Sequence, residues 1–213
     1  MASGAISAQG SQFFQGTGTG GAITITAISK AFRAEITGTH SLTKGDRVTV
    51  ASVGGMTEIN GLNLTVLAVT STTSFVVDVD SRLFTTYTSA GTATPVTWTQ
   101  LKELDSFKPS GASVSKLDKT NLDSVAKEYS AGLVDNGDIS FDVRFVATDP
   151  GLIAAQAAFI AGATKQFKLV TPNGKTSSFQ GYYAKCPIVP DGGIDKLLSG
   201  SITIQIDGAV TVA

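Results

Sequence analysis

A chain of 213 residues with a formal net charge of −1, one cysteine and 15% charged side chains excludes several classes at once. Nucleic acid cannot be gripped by phosphate neutralisation without a basic stripe, a single cysteine rules out an internal disulfide framework or a multi-cysteine zinc site, and the length allows a core without covalent staples. The 23 glycines, with abundant Thr, Val, Ser and Ala, suit many short strands joined by tight turns, so the expected class is mainly β.

The first 19 residues carry no charged side chain, no basic leader and no long apolar run, which argues against a signal peptide. No stretch approaches the roughly 20 apolar residues of a membrane span, so no membrane partner is expected and the chain should stay in the compartment where it is made. Glycine-rich or proline-bearing joints at 16–21 (GTGTGG) and 89–95 (SAGTATP) then bracket a block of strand-like runs: AITITAIS, AEITGT, DRVTVASV, NLTVLAV and SFVVDVD. That spacing predicts a small barrel or sandwich. Its charges cancel, so nothing in it concentrates a field.

After residue 96 the texture changes. VTWTQLKELDSF reads as an entering strand, and 106–131 is a charged run with neither a strand nor a helix period. Asn136-Gly137 is a strong hairpin signal, and the alternation after it puts Ile139, Phe141, Val143 and Phe145 on one face, with Asp138, Ser140, Asp142 and Arg144 on the other. TDPGLIAAQAAFIAG predicts one helix at about 149–161: Thr148 or Asp149 caps it, Pro150 suits its first turn, Leu152, Ile153, Phe159 and Ile160 form its apolar stripe, and Gly162 ends it. Asn173-Gly174 predicts a second hairpin. The closing strand turns Ile202, Ile204 and Ile206 inward and Ser201, Thr203, Gln205 and Asp207 outward.

No reaction can be assembled from these residues, and no cofactor or metal is expected. Gly16, Gly18 and Gly21 fit a dinucleotide-loop spacing but are followed by a strand-like run, and Gly174-Lys175-Thr176 lacks the first glycine of a phosphate loop. Asp135, Asp138 and Asp142 miss the spacing of a calcium loop. Cys186 reads as a small buried hydrophobe and His40 as a loop residue, each in a different part of the chain.

AQGSQFF, WTQLKELDSFKPSG, LDKTNLDSVAKEYSAGLVDNGDISFDVRF, DPG before a helix and GGIDKLLSGSITIQIDG, in that order, resemble the tail tube proteins of long-tailed bacteriophages (siphoviruses). The resemblance implies a β-sandwich or barrel subunit with one flanking helix, formed by 1–20 and 95–213. It also implies homohexameric rings stacked into a tube, with contacts to tape-measure, tail-tip and tail-terminator proteins and transient passage of DNA without specific binding. The chain would be made in the host cytoplasm and end in the virion, as a structural protein and not an enzyme. In that family the long segment before the hairpin reaches the neighbouring ring. Here it corresponds to Lys108, Lys116, Leu117, Asp118, Lys119, Leu122, Asp123, Val125, Lys127, Glu128 and Tyr129, the apolar members supplying burial and the charges register; an ordinary solvated loop is the alternative.

HSLTKGDRVTVASVGGMTEINGLNLTVLAV, TSFVVDVDS and YTSAGTA resemble a small β-barrel module of phage structural proteins, first described beside the catalytic cysteine domain of ubiquitin-activating enzymes. Ser41 and Ala90 stand where that module commonly has glycine. The module implies an insertion over 21–94 that decorates the tube, and no ubiquitin chemistry. If the strands after 138 and 201 line the channel, their outward residues form a weakly acidic wall facing DNA. A second reading is a host-surface or glycan-binding virion protein that uses the inserted module.

Overall fold

The computed structural model describes residues 7–213; residues 1–6, the start of the uncharged run and of the expected first tail-tube segment, lie outside them. β1 (Gln12–Thr19) comes first, followed by the bracketed block: β2 (Ile23–Thr24), β3 (Ala27–Ile28), β4 (Glu35–Thr37), β5 (Arg47–Ala51), β6 (Asn63–Ser71) and β7 (Ser74–Val77). Each strand-like run yields a strand. AITITAIS is split because the chain changes partner within it: β2 pairs the strand at 92–101, whereas β3 pairs β4, and Ile25 N donates to Gly91 O between them. Ile36, Val48, Val50, Met56, Phe75 and Val77 fill the core of this block. Ala90, one of the two departures from the module's pattern, adopts φ 54° without being glycine.

β8 (Thr92–Leu101) joins the block to the rest. Its first half pairs β5, with Val50 opposite Ala93, and its second half pairs β1, with Phe13 opposite Leu101. Ala93 is buried in the core of the block and Leu101 in a second core, so one strand feeds both.

The remaining elements are β9 (Leu104–Pro109), β10 (Ser113–Asp118), β11 (Tyr129–Asp135), β12 (Asp138–Arg144), α1 (Pro150–Ile160), β13 (Lys165–Val170), β14 (Thr176–Lys185), β15 (Asp191–Gly193), β16 (Lys196–Ile206) and β17 (Thr211–Val212). Antiparallel pairing gives the order β8-β1-β13-β14-β16-β12-β9. Phe13 of β1 and Phe141 of β12 meet with ring centroids 4.4 Å apart although three strands separate them in that order, so the sheet curls into two layers around one core. Phe167, Phe179, Tyr183, Ile202 and Ile204 complete it. The architecture is mainly β with one helix, as the sequence predicts.

Asp149 caps the helix by accepting from Leu152 N at 3.0 Å, and Pro150 sits in its first turn. The buried face differs from the predicted stripe. Leu152 is buried, but Ile153 and Ile160 are exposed, and the inward face consists of Gly151, Leu152, Ala155 and Ala158. The cause is proximity: a Cβ on Gly151 would lie 2.2 Å from Gln100 O of β8, so only small residues allow the helix to approach that strand. Among the described residues, no helix is long and apolar enough to cross a membrane.

The block docks on the body through a charge pair. Lys168 of β13 points away from the body core, and its Nζ lies 2.7 Å from Asp46 Oδ1, with both side chains nearly buried. The ammonium also lies 4.7 Å from the ring centre of Trp98 and 5.1 Å from that of Phe14. Asp46 Oδ2 accepts from Thr43 N and Thr43 Oγ1, and Ser178 Oγ donates to Gly45 O at 2.8 Å beside the pair. Removing one partner of such a pair leaves an uncompensated buried charge, at a cost of about 3–5 kcal/mol, whereas replacing both by apolar groups of similar volume is near neutral. Asp46→Asn should therefore lower stability to urea by about that amount, and Asp46→Leu combined with Lys168→Met should restore most of it. A loss below about 1 kcal/mol for the single change, the range of a solvated pair, would show that water reaches the ammonium.

Candidate assembly surfaces

The first candidate surface is the polar face of β9, β12 and β16. The registers set Asp138 opposite Gln205, Ser140 opposite Thr203, Asp142 opposite Ser201 and Arg144 opposite Ser199, while Ile139, Phe141 and Val143 turn into the core. Seven of the eight residues read from the sequence as one outward set thus share one face. Asp207 follows the end of β16, exposed, with its backbone N–H on Gln180 O. Hydrogen bonds knit the face: Ser106 Oγ donates to Asp142 Oδ2 at 2.7 Å, and Gln205 Nε2 donates to Gly137 O at 3.0 Å.

The pairing also brings residues that the alternation of single strands did not reveal. Lys108 of β9 lies opposite Ser140, and Lys185 of β14 lies opposite Thr203 across a bulge. Asp105 forms a 3.0 Å ion pair with Arg144. Three acids (Asp105, Asp138, Asp142) thus stand against three bases (Lys108, Arg144, Lys185). The face is balanced and not acidic, and Lys108 lies on it, apart from the other residues of the charged run. The signal was present in the Ser106–Phe107–Lys108 alternation, obscured because these residues open that run.

The second surface is the run itself, which is not structureless. β10 and β11 form a two-stranded arm, with Ser113 opposite Asp135 and Asp118 opposite Tyr129. Asn136-Gly137 is accordingly not a hairpin turn, since β12 pairs β9 and β16 but not β11. Pro109 faces Ile139 and Ser113 faces Asp135, so the β9–β12 ladder and the arm share one register and form a single long hairpin with a kink. Gly111 and Gly137 face each other at the kink, with φ 77° and 76°. The turn of the hairpin lies at 119–128, tied by Lys119 N to Glu128 O, Glu128 N to Thr120 Oγ1 and Thr120 N to Asp118 Oδ1. Hydrogen bonding from the Thr120 side chain, and then from its backbone N–H, holds the Asp118 carboxyl below its ordinary range. Lys116, Leu117, Asp118, Lys119, Leu122, Asp123, Val125, Lys127, Glu128 and Tyr129 all lie on this arm, with Leu122 and Val125 fully exposed at its tip.

Neither surface resembles a reaction centre. Cys186 is buried in the body core, and burial pushes its thiol up to about 11. The stability held by the protonated thiol is therefore complete below its ordinary value of 9 and is lost only as pH rises toward 11. His40 lies in the block, accepting from Leu42 N at Nδ1 with its ring edge against Phe75. Tyr183 donates its hydroxyl to Gln15 Oε1 inside the body, and burial raises its phenol well above the ordinary range.

Residues 82–213, well over half of the chain, match the family model described as lambda phage tail tube protein, TTP. The chain belongs to the lambda phage tail tube protein family. Residues 34–97 match the model of the ubiquitin-activating enzyme E1 FCCH domain, so this tail tube protein carries a segment similar to that domain. The two matches overlap over 82–97, which includes the half of β8 that pairs with the block. No curated protein matches the chain. Both surfaces lie within the tail tube match.

The kink gives a direct test. A Cβ on Gly137 would lie 2.3 Å from Gly111 O, whereas one on Gly111 meets nothing within 4 Å. Gly111→Ala should cost about 1–2 kcal/mol from the left-handed backbone alone, and Gly137→Ala should cost more and speed hydrogen exchange of the arm amides at 113–135. Equal losses would show that the two glycines do not face each other.

Proposed function

We propose that the chain is the structural subunit of a bacteriophage tail tube: homohexameric rings stack, the polar face of β9, β12 and β16 lines the channel, and DNA passes during ejection without adhering. The family match carries this reading. The sheet supports it, because one face is committed to the core while the other presents balanced charge, and among the described residues no strand pairs the outer edge of β9, which ends the strand order and is available to a neighbouring copy. The arm at 113–135 is the inter-ring contact. Residues 1–20 and 95–213 form the tube body, and 21–94 an inserted barrel on the outside, consistent with its docking on Lys168 across the core from the polar face. Tape-measure, tail-tip and tail-terminator proteins are the expected partners, and the virion the final location.

The purified chain at high concentration should form rings and tubes visible by negative-stain microscopy; monomers alone at every concentration and salt would sink the reading. Removal of 21–94 should leave rings intact, because Gly20 N donates to Pro95 O at 2.7 Å and a short linker can join ends already adjacent. A truncated chain that folds yet cannot assemble would make the block part of the subunit contact.

The channel is tested by charge. Asp138→Lys with Asp142→Lys shifts a balanced face by two charges per exchange without touching the core. Tubes should still form but eject DNA more slowly, with the delay growing as salt falls. Unchanged ejection at low salt, with tubes confirmed, would show that this face does not meet DNA.

A further inference from the structure

The β9–β12–β16 sheet has a hairpin at each end. At the Asp138/Gln205 end the arm departs; at the Arg144/Ser199 end β16 continues past β12 and pairs with β15, Asp191 opposite Ser199 and Gly193 opposite Lys196. β12 separates the two roots by about 20 Å, at roughly 3.3 Å per residue. The second hairpin is anchored by Phe145 N on Leu198 O and by Pro187, which packs so closely on Gly200 that a Cβ there would lie 2.5 Å from it. That packing brings Ile188 and Val189 beside the hairpin. The result is an aliphatic cluster left open among the described residues: Ile188, Val189, Ile194, Leu197 and Leu198 are between 50% and 94% exposed.

We propose that this β15–β16 hairpin receives the arm of a second copy, the tip residues Leu122 and Val125 packing on Ile194 and Leu197. The inference rests on the stacking reading and names its receiving surface. An arm at one end and an aliphatic seat at the opposite end of the same strands form a heterologous pair of patches, and repetition along the strand direction builds an open stack and not a closed dimer. Exposed aliphatic clusters of this kind mark interaction sites on soluble chains. The five exposed aliphatic side chains of the hairpin form the centre of the contact. Charges can set the register, since Lys119 and Lys127 stand on the arm tip beside Asp123 and Glu128, while Asp191 and Asp195 stand on the hairpin beside Lys196.

The test mixes two full-length chains, one carrying Val125→Cys and the other Ile194→Cys, under tube-forming conditions with mild oxidation. A disulfide-linked pair containing one of each should form, while either chain alone should give little linked product; buried Cys186 is common to all samples. In parallel, Ile194→Asp with Leu197→Asp should retain rings, seen by sedimentation, and lose tubes. Tubes that persist with both aspartates, or that form in the mixture without the cross-link, overturn this seat while leaving stacking intact. An unmodified chain that forms neither rings nor tubes overturns both.

Discussion

The register shared by β9–β12 and β10–β11 is the constraint on which the rest of the molecule depends. Phe107, Phe141 and Ile139 set it at the core end, where a slip of one residue would turn every apolar side chain of β12 to the solvent side. Because the ladder continues past the kink, the same packing decides where the arm leaves and how its two strands meet. An element without a core of its own thereby takes its orientation from the body. The facing glycines at 111 and 137 let the direction change without ending the pairing, since both adopt a backbone conformation that costs other residues about 1–2 kcal/mol.

The same alternation separates two environments. Residues turned inward build the body core, and those turned outward on β13 and β14 meet the inserted block, where Lys168 finds Asp46. A buried lysine on a strand makes sense only with that partner. The pair adds little net stability compared with an apolar contact, but it penalises any arrangement in which the block is displaced and the ammonium is left dry. Combined with β8, which contributes to both cores, it makes the junction a packed contact and not a tether.

How much of this was legible follows from where each signal resides. The period-two patterns of 138–145 and 201–206, the Asn173-Gly174 hairpin and the Asp149-Pro150 helix start are local, and a local pattern survives in sequence. Strands β10 and β11 bury no face within one chain, so they carry no alternation to read, and Asn136-Gly137 mimicked the turn that actually lies at 119–128. The helix stripe failed because proximity to β8 favours Gly151, Ala155 and Ala158 over the larger Ile153 and Ile160. The Lys168–Asp46 contact spans 122 residues, and no pattern in either segment announces it. The channel candidates were read strand by strand, so residues contributed by pairing partners, Lys108 and Lys185, were assigned elsewhere or missed.

Those two lysines change the physics of the proposed channel. A single carboxylate about 10 Å from a phosphate in water contributes only about 0.4 kcal/mol of repulsion, and physiological salt reduces it further. An acidic wall would have to rely on repetition along the tube to hold DNA off. A balanced face works differently: Asp105 pairs with Arg144, Asp142 accepts from the neutral Ser106 hydroxyl, and the three acids share the face with three bases, so its net field is small at a short distance. Arg144 is occupied by its ion pair, and Lys108 and Lys185 are offset by Asp138 and Asp142. A phosphate therefore gains little by exchanging its counterions for this surface, and that indifference is the property a conduit for DNA requires.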